Sequence, residues 1–347
     1  MLMIVAHHFV VCSGINSQTG PLQLEPDSIK SILLRLYGMW GKTGVNCFLM
    51  ITGYYMCTSK ITIKKYLKLL LEVVFYNVVF YMIFLASGYE TLSLSSIAKS
   101  VLPVWGFGMM FTSCFLAFYL FIPFLSLLVQ SMSKQQHLLL ILLLSGCYTL
   151  LASIPGFDVS FNYITWFGII FIIASYIRLY PSTIFENRVL WGWISLGAVA
   201  LSIISVFVFQ SIIGSGYFLV SDSNKILAVA VAVSSFLWFK NLKLRHSKII
   251  NALGASTFGV LLIHSNSRAM RTWLWKDTID VIGHYTLPLG QLILFCIGVV
   301  LLVFIVCSII DYVRILLLEK PFFKWYDKSL DLKINSYIDR VLCQKSK

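Results

Sequence analysis

The chain has 347 residues, 59% of them hydrophobic and only 12% charged, with a mean hydropathy of +0.85. That balance excludes a soluble domain and points to a polytopic membrane protein. Its 27 basic residues outnumber 14 acidic ones, but they cluster between apolar runs, a positive-inside pattern and not a nucleic-acid surface.

Apolar segments long enough to span, or nearly so, recur at about 1–15, 38–57, 66–87, 111–130, 137–154, 162–180, 189–212, 225–240, 250–267 and 289–313. They predict an all-α integral membrane bundle of about ten transmembrane helices occupying residues 1–315, with a short basic tail over 316–347. No period of about 20–50 residues repeats. The sixth segment should stop at Tyr180-Pro181.

The first segment carries two adjacent histidines, His7 and His8. An imidazole in a membrane helix is costly unless it faces a cavity or a partner, so the pair is a functional candidate. Packing near an interface is the plainer reading. The run is only about 15 residues, or about 22 Å of helix against a hydrocarbon core of about 30 Å. With no basic flank and no small residue before a cleavage point, it does not read as a signal peptide. The expectation is a first helix truncated at its N-terminus, with the natural start further upstream.

The second segment, Gly41 to Tyr55, mixes small and polar residues into an apolar helix. Its glycines suit close helix packing, and Asn46 and Thr52 can hydrogen-bond to neighbours. Lys64, Lys65 and Lys68 follow at the head of the third segment, where their charge opposes the helix dipole. A bound polyphosphate would relieve that mismatch, and topology-setting lysines would look the same. Glu72 lies at i+4 from Lys68 and is expected to pair with it.

Assigning the N-terminus to the cytoplasm puts most basic residues in the inner loops and tail, so both termini are expected inside. Four outer loops, about 16–37, 88–110, 213–224 and 268–288, then hold the richer chemistry. The last combines Arg268, Arg271, Trp273, Trp275, Lys276, Asp277, Asp280 and His284. Aromatics among charges suit sugar stacking, as they suit an interfacial belt. A metal site is not expected, because adjacent His7 and His8 should point to different faces of a helix.

His8, the Gly-Val-Asn-x-Phe-x-x-x-Thr-Gly-Tyr run from Gly44 to Tyr54 and the lysines at 64–68 resemble the membrane acyltransferase-3 family. So do Trp105, the Tyr119-x-x-x-Pro123-Phe124-Leu125 run and Phe258 to His264. The resemblance rests on the order and spacing of these motifs over essentially the whole chain. It implies a multi-pass cell-membrane O-acyltransferase, moving acetyl from acetyl-CoA to a hydroxyl of a surface polysaccharide or lipid-linked sugar. His8, with His7, is then the catalytic candidate, by general base or acyl-imidazole chemistry at about mid-bilayer. Lys64, Lys65, Lys68 and Arg178 would hold the CoA phosphates, and Asn46, Thr52, Trp105 and His264 would line the tunnel or acceptor site. The family's Arg-x10-His motif would place its arginine before Met1. Competing readings are a transporter or flippase of a sugar-lipid, which would show inverted repeats and several intramembrane charges, and a non-catalytic member of the fold.

Overall fold

Short polar side chains set where the apolar helices begin. Thr62, Asn162 and Asn187 each accept a hydrogen bond from the backbone N–H three residues on, and Ser133 forms a capping box with Gln136. The computed structural model describes residues 1–105, 107, 110–214 and 216–329, and among them every apolar segment is helical and there is no strand. In chain order the principal helices are α1 (Leu2–Val11), α2 (Gly41–Met56), α3 (Ile63–Ala86), α4 (Phe111–Ser131) and α5 (Lys134–Ser153). Then come α6 (Tyr163–Leu179), α7 (Arg188–Ile213), α8 (Ile226–Lys240), α9 (Lys248–Ala255 and Thr257–Asn266, bent by 49° between them) and α10 (Leu289–Arg314). Helix α6 stops before Pro181 as expected, and α7 stops at Gly214, whose φ of 67° is left-handed.

By length and composition five described helices can cross a membrane: α3, α4, α5, α7 and the continuous helix Leu289–Lys328. The bent α9 makes six. Helices α1, α6 and α8 are apolar but shorter, and α2 has 16 residues including Lys42. More than half of the apolar window of α4 is buried, whereas α3, α5 and α7 leave most of theirs exposed. Helix α4 is therefore central, and the other three present broad apolar faces to a non-aqueous surrounding.

Helix α1 lies in a groove floored by glycine. A Cβ on Gly38 would fall 2.8 Å from Val10, one on Gly41 2.2 Å from His7, and one on Gly44 3.0 Å from Ile4. Three glycines at a spacing of three thus let α1 approach α2 and the preceding helix, Ile29–Gly38, backbone to backbone. Helix α10 closes the other side of α1.

The connections sort into two faces. Tyr285 hydrogen-bonds Ser28 at 2.8 Å and Ser31 at 3.0 Å, the Tyr89 hydroxyl donates to Asp277 at 3.1 Å, and the Tyr217 hydroxyl donates to the Arg35 carbonyl at 3.0 Å. These bonds join all four long loops into one cap. At the opposite ends, Gln130 donates to the Cys57 carbonyl at 2.6 Å, Tyr180 to Met132 at 2.9 Å and Asn241 to Phe185 at 2.7 Å.

Two features of that second face bear on the expectations. The chain does not leave the bundle after residue 315: a π-helical turn, Ile315–Glu319, leads into a helix, Lys320–Ser329, packed back on α3. The remainder of the expected tail, with Lys333, Arg340, Lys345 and Lys347, lies outside the described residues. Nor does Glu72 pair with Lys68. Glu72 turns inward to Arg314 at 3.2 Å, while Lys68 turns outward to Glu319 at 2.7 Å. Arg314 is buried and also holds Asp311 at 2.8 Å and Glu319 at 3.0 Å, with the Tyr76 hydroxyl donating to Asp311 at 2.8 Å. A buried guanidinium needs carboxylates more than an exposed ammonium does, and it takes the inward-facing one.

Candidate active site

The histidines of α1 are held from two directions. The Nδ1–H of His7 donates to the Gly38 carbonyl at 2.7 Å, and its ring rests on the bare backbone of Gly41. His8 Nδ1 lies 2.9 Å from Nε2 of His264, whose own Nδ1 bonds the Val260 carbonyl. A carbonyl only accepts, so the proton between them sits on His264 Nδ1. In neutral His264 the Nε2 is then the acceptor, and His8 must donate from Nδ1. That leaves the His8 Nε2 lone pair turned towards Ser265, 3.3 Å away, and an adjacent cavity.

The cavity has a volume of about 170 Å³ and is walled by both histidines, Lys42, Thr112, Tyr163, Ser265, Asn266 and Arg271. His7 and His8, expected on different faces, both reach it because α1 presents its edge to the space between α2 and α9. Ile4, Val45 and Leu261 line it as well. Each lies further from the cap along its helix than His8, Lys42 and Ser265 do, so the deep end is apolar, while the cap end carries the polar groups together with Met110 and Phe111. His8 itself is within one turn of the cap end of α1, nearer that face than the mid-depth position expected.

The polar wall is tied to the scaffold. Lys42 donates to the Tyr163 hydroxyl at 2.8 Å and pairs with Asp222 at 3.1 Å. Thr112 donates to Asn266 at 2.8 Å, and Asn266 donates to Asn77 at 2.6 Å. Arg271 donates to the backbone carbonyls of Ser265 and Asn266. Behind His264 stands Trp275, fully buried with its ring edge-on to the imidazole. The π-helical turn Leu262–Asn266 widens α9 where His264, Ser265 and Asn266 all turn to the site. Such turns concentrate at functional sites because they bring consecutive side chains to one side.

A larger cavity of about 500 Å³ shares Met110, Thr112 and Asn266 with the first and extends towards the cap. Trp105 lines it, where a tunnel residue was expected. The other expected tunnel residues are placed differently. Asn46 is buried, donating to the Ser223 carbonyl at 2.7 Å and accepting from Trp166 at 2.9 Å, so it ties helices together away from the cavity. Thr52 bonds back to the Phe48 carbonyl of its own helix at 3.0 Å. His264 is behind His8 and orients it.

The basic residues expected to hold CoA lie on the face opposite the cap. Lys64 is paired with Asp327 at 2.6 Å, Lys68 with Glu319, and Lys65 donates to the Lys60 carbonyl at 2.8 Å. Arg178 stands over the Tyr54 ring at 5.1 Å, with Lys240 over the same ring at 5.9 Å. No described contact joins Arg178 to the lysines.

Residues 1–310 match the family model described as an acyltransferase domain, acyltransferase-3, which is most of the chain. The chain belongs to the acyltransferase-3 family. It is therefore a membrane acyltransferase by family, built as a helical bundle. No curated protein and no solved structure matches it.

The candidate-site residues to which sequence reasoning gave no role are Lys42, Thr112, Tyr163, Ser265 and Asn266. Lys42 had a signal, a cation inside an apolar helix. Ser265 and Tyr163 had none, since only the bend and widening of α9 and the entry of α6 bring them to His8. The close seat of His7 gives a test. Gly41→Ala is expected to reduce acyl transfer about tenfold or more, because the new methyl must displace the imidazole. Gly197→Ala and Gly298→Ala, where a Cβ meets nothing within 4 Å, should leave it unchanged. Equal rates for all three would show that His7 does not constrain the site.

Proposed function

We propose that this acyltransferase moves an acyl group, acetyl in the simplest case, from acyl-CoA to a hydroxyl of a surface polysaccharide or lipid-linked sugar, with His8 as the general base. The observation that carries this is the orientation of His8: its Nδ1 is committed to His264 and its Nε2 lone pair faces a cavity. The acceptor hydroxyl gives its proton to His8 Nε2 as its oxygen attacks the thioester carbonyl. Lys42, which lines the same cavity, stands beside the place where the oxyanion develops. Collapse of that intermediate breaks the carbon–sulfur bond, and the proton returns from His8 to the departing thiolate. The acyl chain lies against Ile4, Val45 and Leu261.

In this reading the chain crosses the cell membrane ten times with both termini cytoplasmic, and the cap faces outward. The gathering of all four long loops on one face supports that alternation. The CoA phosphates bind on the inner face at Lys64, Lys65, Lys68 and Arg178, where they exchange with Asp327 and Glu319 as partners of Lys64 and Lys68.

Mass spectrometry of surface glycans from cells with and without the gene tests the reaction. A loss of about one acetyl mass per repeat is expected, restored by the wild-type gene and not by its His8→Ala form. Unchanged glycan acylation in cells shown to express the protein would favour a sugar-lipid transporter or a non-catalytic role.

A further inference from the structure

The two neighbouring cavities are lined by more cations than acids. Lys42 and Arg271 line the smaller one, Lys99 and Arg268 the larger, and Glu90 is the one acid in either lining. Lys42 is balanced by Asp222 from outside the cavity. Among the described residues, neither Arg271, Arg268, Lys99 nor Glu90 has an ion-pair partner; Arg268 and Lys99 are exposed to solvent, so the cost of a missing counter-charge falls on Arg271. Arg271 is half-buried, and both of its bonds to carbonyls come from Nη1, so Nε and Nη2 keep their hydrogens for something else. A cation withdrawn from water with no counter-charge is costly, and a ligand that supplies the charge removes that cost.

We propose that the acceptor is an anionic glycan whose carboxylate or phosphate is held by Arg268 and Arg271 while the adjacent hydroxyl is presented to His8. Arg271 walls the His8 cavity and Arg268 the larger one, with only the Thr112–Asn266 partition between the two spaces. An acidic group held there would be bound by guanidinium groups, each able to pair with it through two N–H donors. Glu90, further out on the larger cavity, repels a misplaced acid and so favours entry with the charge directed inward. This inference rests on the acyl-transfer reading and adds the chemical class of acceptor.

The test uses membrane vesicles containing the full-length protein, radiolabelled acetyl-CoA and the de-O-acylated surface glycan of the producing cells as acceptor. The glycan is offered untreated, with its carboxylates reduced to alcohols, or with its phosphates removed by aqueous hydrogen fluoride. One treatment is expected to lower kcat/KM about tenfold or more, identifying carboxylate or phosphate as the group recognised. Arg268→Gln should raise KM for the untreated glycan more than for the treated one and so narrow their ratio, and Arg268→Lys should restore part of it. Equal transfer to all three glycans, or a ratio that Arg268→Gln leaves unchanged, overturns the anionic acceptor while acyl transfer stands. Failure to label even the untreated glycan, with wild-type protein present in the vesicles, overturns the acyl-transfer reading and this inference with it.

Discussion

His8→Ala is expected to lower the rate of acyl transfer by about a hundredfold or more, the usual contribution of a positioned general base. His264→Leu should fall between that variant and wild type. It leaves the Nε2 base in place but removes the acceptor that holds the proton on His8 Nδ1, so the ring is free to turn and to exchange tautomers. His264→Gln should recover part of the loss, since an amide can donate to the Val260 carbonyl and accept from His8 at once. His7→Ala should be milder than His8→Ala, because His7 bonds the Gly38 carbonyl and no described hydrogen bond joins it to His264 or Ser265. Single-turnover rates with labelled acetyl-CoA in membranes give the order directly. A His8→Ala variant as active as wild type would remove the mechanism, and a His264→Leu variant as inactive as His8→Ala would make His264 part of the chemistry.

The second large effect is on stability and lies away from the cavity. Arg314→Met should destabilise the bundle by about 3–5 kcal/mol, the usual result of removing one partner from a buried ion cluster. Glu72, Asp311 and Glu319 would be left facing one another with their central cation gone. Asp311 has no room to turn away, because its carboxylate fills the place a Cβ on Gly259 would take. The double variant Glu72→Gln with Arg314→Met removes one of the stranded charges and should recover part of the loss. Thermal unfolding in detergent checks both. An unchanged midpoint for Arg314→Met would mean that the carboxylates reach water or protons without cost, and that α3 and α10 are held by their apolar contacts alone.

The Lys64–Asp327 and Lys68–Glu319 pairs place the helix Lys320–Ser329 against the lysines assigned to the CoA phosphates. Both pairs are solvent-exposed on the lysine side and contribute little to stability. In the proposed CoA site a polyphosphate would displace these carboxylates, because it carries more charge than either.

Hydrophobic runs by themselves determined that this protein is an all-helical membrane bundle, because a backbone in lipid must satisfy its own hydrogen bonds and a long apolar run then has one solution. The runs became helices near their expected limits, helped by local caps such as Thr62 and Asn187 and by Pro181, except that the ninth is bent by 49° and the last continues past 313 to Lys328. The histidine pair was legible for a similar reason: an imidazole among aliphatic side chains stands out whatever surrounds it. The partners of these residues were not legible. Glu72 was within reach of Lys68 along one helix, yet tertiary packing turned it to Arg314, 242 positions away in sequence terms. Asn46 and His264 carried the same polar signal as a site residue, and only their neighbours show one tying helices together and the other orienting His8. The site itself forms where the glycine-floored seat of α1, the entry of α2 at Lys42 and the widened turn of α9 meet. Spacing along the chain holds no information about that meeting, because it is decided by which helix faces pack together.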